Sequence, residues 1–264
     1  MPYITINNKK IYYKEYGHGE PIVFLNGVMM STNSWSPFIR TISKDYRMIV
    51  VDLIDQGKSD SHEEEYTVET QADFLKEFLD KLKLENIHLL GMSYGGKVAL
   101  TFTLKYEYKV KTLMLSNTDS YTTKIMNDIG KAWIYAASTL DGNIFSSIAL
   151  PYMYSYNYYE INYEDIKEKA RILSKILDEK WYGRFKRSLD SARDFNVSHI
   201  IKNIKVPTLI ISSELDIITP IKYQQLIHQK IENSKWIIIE GVGHASMFEK
   251  PEDYISIIMD FMKE

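Results

Sequence analysis

Short runs of consecutive apolar residues recur along the chain, and segments with helical spacing of apolar positions separate them. Continuous apolar runs of this length are typical of strands that are buried on both faces of a sheet. They predict strands over residues 21–26, 46–53, 86–92, 110–116, 206–213 and 234–240. Near the N-terminus, residues 3–7 and 10–16 predict the two strands of a β-hairpin that turns at Asn8.

Helices are predicted in several of the intervals between these strands. Apolar residues recur three or four positions apart over residues 67–83, which predicts an amphipathic helix. Residues 94–106 follow a strand directly and predict a buried helix. Thr219 and Pro220 predict a helix start, with the threonine as N-cap and the proline in the first helical position. Pro251 predicts the start of the last helix in the same way.

The order of these elements predicts the fold class. Alternating strands and helices favour an α/β protein with a mostly parallel sheet and helices on both faces. The alternation is interrupted between residues 119 and 204, which are helical in pattern and rich in Tyr, Met and Trp. We therefore predict a core domain formed by residues 1–118 and 205–264, with a helical cap inserted at residues 119–204.

Composition narrows the functional classes. The chain has 264 residues, of which 45% are hydrophobic and 25% charged, as is ordinary for a soluble globular protein. Its formal net charge of -3 gives no indication of nucleic-acid binding, and the lack of cysteine excludes disulfides and thiolate chemistry. We see no signal-peptide pattern and no apolar run near the roughly 20 residues that span a bilayer. We therefore expect a cytoplasmic protein with no membrane partner.

A candidate nucleophile lies between a predicted strand and a predicted helix. The motif G-x-S-x-G is present as Gly91-Met92-Ser93-Tyr94-Gly95. In this context the serine can occupy a sharp turn that exposes its hydroxyl at the sheet edge, beside the free N–H groups of the helix N-terminus. A glycine-rich turn that only connects the two elements is the alternative. The flanking strand and helix favour Ser93 as the nucleophile.

A serine hydroxyl needs a base to take its proton, and the chain offers six histidines. His244 follows the last predicted strand in a loop with glycines at 241 and 243, which leaves its ring free to reach the sheet edge. The other histidines lie in a turn, an acidic loop, a predicted strand or helical segments. We therefore predict that His244 is the general base.

Three carboxylates compete for the role of orienting that histidine. Asp216 lies just beyond the predicted strand 206–213, and Glu214 lies two residues before it. Asp119 follows the predicted strand 110–116 and could reach the same edge. We favour Asp216 and regard Asp119 as its main rival, although either could simply stabilise a turn.

Acyl transfer also needs donors for the oxyanion that forms on the substrate carbonyl. One predicted donor is the backbone N–H of Tyr94, directly after the nucleophile. The other is the N–H of Val28, in the loop that follows the predicted strand 21–26. The dipeptide Asn26-Gly27 in this loop could also form an ordinary β-turn.

Separate segments of the chain resemble the α/β-hydrolase superfamily. They match its first glycine-rich loop, its D-x-x-G-x-G-x-S loop, its nucleophile elbow and its acid and base segments, at residues 17–27, 52–59, 91–96, 206–216 and 243–244. The resemblance implies a mainly parallel eight-stranded sheet with a helical cap after the sixth strand. It also implies the chain order of Ser93, Asp216 and His244.

Some residues depart from the superfamily pattern or from local expectation. Asn26 stands where the superfamily usually has histidine, so we expect a changed hydrogen-bond partner rather than a lost oxyanion hole. Asp55 replaces the first glycine of the D-x-x-G-x-G loop and is expected to place an extra carboxylate near the mouth of the site. Lys97 is unusually polar for an inner helix position.

These residues predict a serine hydrolase without cofactor or metal. Esters, thioesters, lactones and activated carbon–carbon bonds are all cleaved through an acyl-enzyme, and we favour a small carboxylic ester. Aromatic residues in the predicted cap indicate an apolar acyl pocket, unless they only form the core of the cap. A monomer or homodimer is expected. The alternatives are a ligand receptor in signalling that retains the triad, and a lyase or acyltransferase that uses it.

Overall fold

A computed structural model describes residues 2–264 and centres on one eight-stranded sheet. The strands, in chain order, are β1 (Tyr3–Ile6), β2 (Lys9–Tyr16), β3 (Glu20–Leu25), β4 (Tyr46–Asp52), β5 (Ile87–Met92), β6 (Val110–Ser116), β7 (Thr208–Ser213) and β8 (Ser234–Ile239). Their order across the sheet is β1-β2-β4-β3-β5-β6-β7-β8. The pairs β1–β2 and β2–β4 are antiparallel, and all other neighbours are parallel. The prediction of a mostly parallel eight-stranded sheet is confirmed.

Most of the apolar runs that predicted the strands are buried on both faces of the sheet, whereas the edge strand β8 is only partly buried. Along β3, Val23 and Leu25 belong to one apolar cluster, whereas Ile22 and Phe24 belong to another. Successive side chains of a strand point to opposite faces, so the two clusters cover the two sides of the sheet. The strand predicted from residue 206 begins only at 208, because Pro207 has no N–H for the ladder.

Helices pack around the sheet on both of these faces. The α-helices of residues 2–264, in chain order, are α1 (Ile39–Ile42), α2 (Val68–Lys81), α3 (Tyr94–Tyr106), α4 (Lys124–Ser138), α5 (Gly142–Met153), α6 (Tyr156–Ile161), α7 (Tyr163–Ile176), α8 (Glu179–Ser191), α9 (Ile221–Lys230), α10 (Ser246–Glu249) and α11 (Pro251–Lys263). The predicted helices α2 and α3 are confirmed, and Pro251 occupies the first turn of α11 as predicted. Among residues 2–264 no helix is both long and apolar enough to cross a bilayer.

The predicted start of α9 is wrong in its capping residue. Pro220 is the N-cap and α9 begins at Ile221, one residue later than predicted. The Thr219 hydroxyl does not cap the helix but donates to Asp216 Oδ2 at 2.7 Å. A local sequence pattern could not reveal this partner, because the competing acceptor lies in the preceding loop.

Helices α4 to α8, called here the inserted helices, lie between β6 and β7. They contribute most of a third apolar cluster, built around buried aromatic side chains that include Trp133, Tyr182 and Phe185. Other aromatic residues of this segment, such as Tyr135 and Tyr156, are exposed. The segment is helical as its pattern predicted, and its description as a separate cap remains a prediction.

Candidate active site

Ser93 occupies the turn between β5 and α3, with φ 53° and ψ -114°. A positive φ is strained for a residue with a side chain, so the surrounding backbone must hold this conformation. Glycines at 91 and 95 allow it. A Cβ on Gly91 would overlap the carbonyl oxygen of Gly95, and one on Gly95 would lie 2.5 Å from that of Leu25. The G-x-S-x-G spacing is therefore required by close backbone contacts around Ser93.

Ser93, His244 and Asp216 lie in one hydrogen-bonded chain. The Ser93 hydroxyl donates to His244 Nε2 at 3.0 Å, and His244 Nδ1–H donates to Asp216 Oδ2 at 2.7 Å. The N–H groups of Ile218 and Thr219 each donate to Asp216 Oδ1 at 2.9 Å. The carboxylate is thus fixed on one side by backbone amides and on the other by the imidazole.

The electrostatics of Asp216 favour an ionised acid. Burial acts to raise the pKa of this carboxyl, but the charge and hydrogen bond of His244 and the bonds from Thr219 outweigh it, and the pKa is lowered. An ionised Asp216 accepts the Nδ1 proton of His244. The Nε2 lone pair is then left to accept the Ser93 proton.

The two rival carboxylates have other partners. Asp119 is buried and accepts a hydrogen bond from Lys97 Nζ. Glu214 is exposed and accepts from the N–H of Gly241 at 2.8 Å. Neither makes a hydrogen bond with His244 among the residues that the structure describes. Of the three candidates, the geometry favours Asp216.

The two amides predicted for the oxyanion hole flank the same cavity as Ser93. The loop after β3 packs against the serine, since a Cβ on Gly27 would lie 3.6 Å from Ser93 Cβ. The Tyr94 hydroxyl is hydrogen-bonded to Ser191 Oγ at 2.8 Å, so the side chain points away from Ser93. The backbone amide of Tyr94 therefore stays uncovered by its own side chain. Within residues 2–264 neither Tyr94 nor Val28 has a hydrogen bond that would occupy its N–H. Their role as oxyanion donors remains a prediction.

Gln56 was not singled out from the sequence, although it contacts the loop that carries Val28. Its Nε2 donates to the carbonyl oxygens of Asn26 at 3.3 Å and Gly27 at 3.4 Å. Because a trans peptide is planar, its C=O and N–H point in opposite directions. A bond to the Gly27 carbonyl therefore turns the N–H of Val28 away from Gln56. Gln56 lies within the motif at residues 52–59, but the motif does not show that its side chain binds the carbonyls of Asn26 and Gly27.

Asn26 anchors the start of the same loop. Its Nδ2 donates to Val51 O and to Asp52 Oδ1, each at 3.0 Å, and its Oδ1 accepts from Trp35 Nε1 at 2.8 Å. The side chain is fully buried. Asn26 thus joins the loop to the neighbouring strand β4.

The sequence predicts that Asp55 lies near the mouth of the site, but the structure places it elsewhere. Its buried carboxylate forms a bidentate pair with Arg187 of α8, at 2.9 and 2.8 Å. Arg184 of the same helix donates to the carbonyls of Gln56 at 2.7 Å and Ser59 at 2.8 Å. Two arginines therefore fasten α8 to the loop that contains Gln56.

A second attachment joins the inserted helices to the loop that carries His244. Glu249 Oε1 accepts from the N–H groups of Ser155 at 2.9 Å and Gly243 at 3.0 Å, and its Oε2 accepts from the Ser155 hydroxyl at 2.6 Å. The N–H of Ala245 donates to the carbonyl of Met153 at 2.8 Å. The junction of α5 and α6 is thus bonded on either side of His244.

Ser93 and His244 open onto a cavity of about 350 Å³. This volume lies in the range of small-molecule sites, which are mostly apolar with a few polar groups. Flexible thioether side chains supply much of the lining, from Met29, Met30, Met92, Met126 and Met153. Methionine adapts to ligands of irregular shape. No group of three or more acidic or histidine side chains suited to a metal ion occurs in residues 2–264.

Comparisons with known proteins agree with this architecture. A sequence model described as alpha/beta hydrolase fold matches residues 20–146. The crystal structure of MGS-M2, an alpha/beta hydrolase enzyme from a Medee basin deep-sea metagenome library, is 34% identical with a TM-score of 0.97. It covers 99% of this chain and 97% of its own.

Other similar proteins carry names of different hydrolases. An esterase from Exiguobacterium antarcticum is 24% identical with a TM-score of 0.87, and covers 99% of both chains. The enol-lactonase from Burkholderia xenovorans LB400 is 20% identical with a TM-score of 0.89, and covers 100% of both chains. A proline iminopeptidase of Lactobacillus acidophilus is 27% identical over 263 residues, which are 92% of this chain and 89% of that protein.

Proposed function

The chain belongs to the α/β-hydrolase family, and from this we propose that it is a serine hydrolase that cleaves a small carboxylic ester through an acyl-enzyme. One observation carries the proposal: Ser93 Oγ lies 3.0 Å from His244 Nε2 while His244 Nδ1 lies 2.7 Å from Asp216 Oδ2. The first distance is within the range over which a nucleophile and its base exchange a proton, and the second lets the carboxylate orient the imidazole.

Acylation begins when Ser93 Oγ attacks the ester carbonyl carbon and its proton passes to His244 Nε2. The imidazolium that forms is stabilised by the Asp216 carboxylate. The carbonyl oxygen gains negative charge, which the N–H groups of Val28 and Tyr94 receive. His244 then returns the proton to the leaving alkoxide as the carbon–oxygen bond breaks, and the acyl group remains on Ser93.

Deacylation follows the same path with water as the nucleophile. His244 takes a proton from water, the hydroxide adds to the acyl carbon, and the same two amides receive the oxyanion. Collapse of this intermediate releases the carboxylic acid and returns the proton to Ser93 Oγ. Every proton transfer in the cycle passes through His244 Nε2.

An ester is favoured over a peptide substrate by the charges around the cavity. An aminopeptidase must bind the free amine of its substrate, which calls for an uncompensated carboxylate. The carboxylates that line the cavity belong to Asp119, Asp190 and Asp194. Asp119 is paired with Lys97 and Asp190 with Arg193, whereas Asp194 has no ion pair within residues 2–264 but is exposed to solvent, which screens its charge. The apolar lining instead suits the acyl chain of an ester.

The substrate class is tested with p-nitrophenyl esters of increasing acyl length beside proline p-nitroanilide and a simple lactone. After each kcat/KM is divided by the rate constant of the same substrate with hydroxide, we expect the best ester to exceed the anilide by about 100-fold or more, the factor by which pocket contacts commonly discriminate. Faster turnover of the anilide would replace the esterase assignment with a peptidase one. A single slow turnover with every substrate would favour a receptor.

Gln56→Leu is expected to lower kcat for the best ester by about tenfold with little change in KM, because a misdirected Val28 amide weakens only the transition state. The matched control is Gln71→Leu. Gln71 is also buried, but its Nε2 donates to Ile54 O at 2.8 Å, and within residues 2–264 it makes no hydrogen bond to the loop after β3. Steady-state kinetics on both variants decide the matter. Equal losses in the two, or a change confined to KM, would remove Gln56 from the catalytic geometry.

A further inference from the structure

An ion pair stands in the wall of the cavity that holds Ser93. Lys97 and Asp119 both line this cavity, with 7% and 0% of their surface exposed. Lys97 lies in the first turn of α3, and its backbone N–H donates to the carbonyl oxygen of Ser93 at 3.3 Å. Its Nζ donates to Asp119 Oδ1, and to Thr122 Oγ1 at 3.0 Å.

A contribution to the stability of the fold does not explain why this ion pair is present. The desolvation of two buried charges offsets much of their attraction, so apolar residues of similar volume are often at least as stabilising. Burial lowers the pKa of Lys97 and raises the pKa of Asp119, which reflects the same cost. A charged pair buried this deeply in the wall of a mainly apolar cavity therefore calls for a functional reason.

The pair also has hydrogen-bonding capacity that the described residues do not fill. An ammonium group carries three N–H donors, and only Asp119 and Thr122 accept from Lys97 among residues 2–264. The remaining neighbour, the Phe195 ring at 4.9 Å from Nζ, supplies a weaker cation–π contact. Asp119 Oδ2 is buried and has no hydrogen-bond partner in the part of the chain that the structure describes. A substrate oxygen beside Lys97 Nζ would accept its remaining N–H. In an apolar pocket a buried donor that lacks such a partner costs free energy.

The charge of the pair selects the kind of oxygen. Asp119 already neutralises Lys97, so a substrate carboxylate would meet a like charge at short range and low dielectric. A substrate ammonium would meet Lys97 in the same way. A neutral oxygen accepts from Lys97 without either penalty.

We propose that Lys97, held by Asp119 and Thr122, forms a polar subsite that recognises a neutral oxygen of the substrate, as a hydroxyl, ether or carbonyl. The substrate would thus carry such an oxygen in addition to its scissile ester, within a mainly apolar skeleton. This inference rests on the proposed ester hydrolysis.

The test is a set of p-nitrophenyl esters that match hexanoate in length. In the set an ether oxygen, a hydroxyl or a keto group is moved along the acyl chain, and one member ends in a carboxylate. Each kcat/KM is divided by the rate constant of the same ester with hydroxide, which removes differences in intrinsic reactivity. We expect at least one neutral oxygenated ester to exceed hexanoate by about tenfold, as one charge-assisted hydrogen bond allows.

Lys97→Met is expected to bring this ratio to about one, whereas Lys97→Arg retains part of it. The double variant Lys97→Met/Asp119→Leu removes both charges and gives the same result if the single variant folds poorly. The control is Lys105→Met, on the same helix, whose ion pair with Asp73 lies on the surface. That variant is expected to keep the wild-type ratio.

The outcomes separate the subsite from the proposed function. Turnover of hexanoate with no preference for any neutral oxygenated ester, or a preference that survives in Lys97→Met, would overturn the subsite alone. A clear preference for the carboxylate ester would overturn its neutral character. If no ester in the set were hydrolysed, the proposed function would be overturned, and the subsite with it.

Discussion

Ser93→Ala is expected to lower kcat for the best p-nitrophenyl ester by about 10⁴-fold or more, as removal of the nucleophile does in serine proteases. The variant retains the cavity and the amides of Val28 and Tyr94 but has no hydroxyl to form the acyl-enzyme. The loss should therefore appear in kcat rather than KM. Stopped assays at high enzyme concentration measure the residual rate.

A buried serine outside the triad provides the matched control. Ser116 ends β6, beside β5, and its Oγ has no hydrogen-bond partner among residues 2–264. Ser116→Ala should keep the wild-type rate. A fluorophosphonate probe should label wild type and Ser116→Ala with one equivalent and leave Ser93→Ala unlabelled. Equal ester turnover by wild type and Ser93→Ala would disprove the role of Ser93.

Asp216→Asn is expected to reduce kcat/KM by about 10³- to 10⁴-fold, because an amide no longer holds the Nδ1–H tautomer of His244. Asp119→Asn removes a carboxylate that is bonded to Lys97 rather than to His244. Its loss on a plain alkyl ester should be less than about tenfold, since it does not touch the reacting groups. A larger loss at Asp119 than at Asp216 would reverse the assignment of the acid.

A second effect of Asp216→Asn is expected on stability in acid. The pKa of Asp216 is lowered in the folded chain relative to its ordinary value of 3.8. Such a carboxyl stabilises the fold at pH values above 3.8 and loses this contribution as the pH falls through its folded pKa. Asp216→Asn should therefore flatten the fall in the free energy of unfolding below about pH 4. Urea unfolding between pH 2.5 and 5 measures the slope.

The sheet and the nucleophile turn could be predicted because their signals are local. Burial on both faces demands continuous apolar runs, so strands such as β5 and β6 were found to within a residue or two. The turn at Ser93 needs glycine at fixed offsets, since its backbone contacts leave no room for a Cβ. His244 was found by elimination, from its place in a loop after the last strand.

The polar contacts around the site could not be predicted because their partners are distant in sequence. Asp55 pairs with Arg187, 132 residues further along the chain, and no periodicity links the two. Gln56 orients a carbonyl 29 residues away. The sequence shows Lys97 as unusually polar for its helix position and Asp119 as an alternative acid, but it does not show that the two form a pair. The sequence predicts Thr219 as a helix cap because only the folded loop brings its hydroxyl to the competing acceptor, Asp216.

The double attachment of the inserted helices bears on how this chain can diversify. Arg184 and Arg187 bind the loop of Gln56, while Ser155 shares Glu249 with the loop of His244. Transplanting the whole segment from a distant relative would strand Asp55 and Glu249 without partners and disturb both loops. New substrate preferences are thus more accessible through single replacements among the methionines of the lining than through exchange of segments.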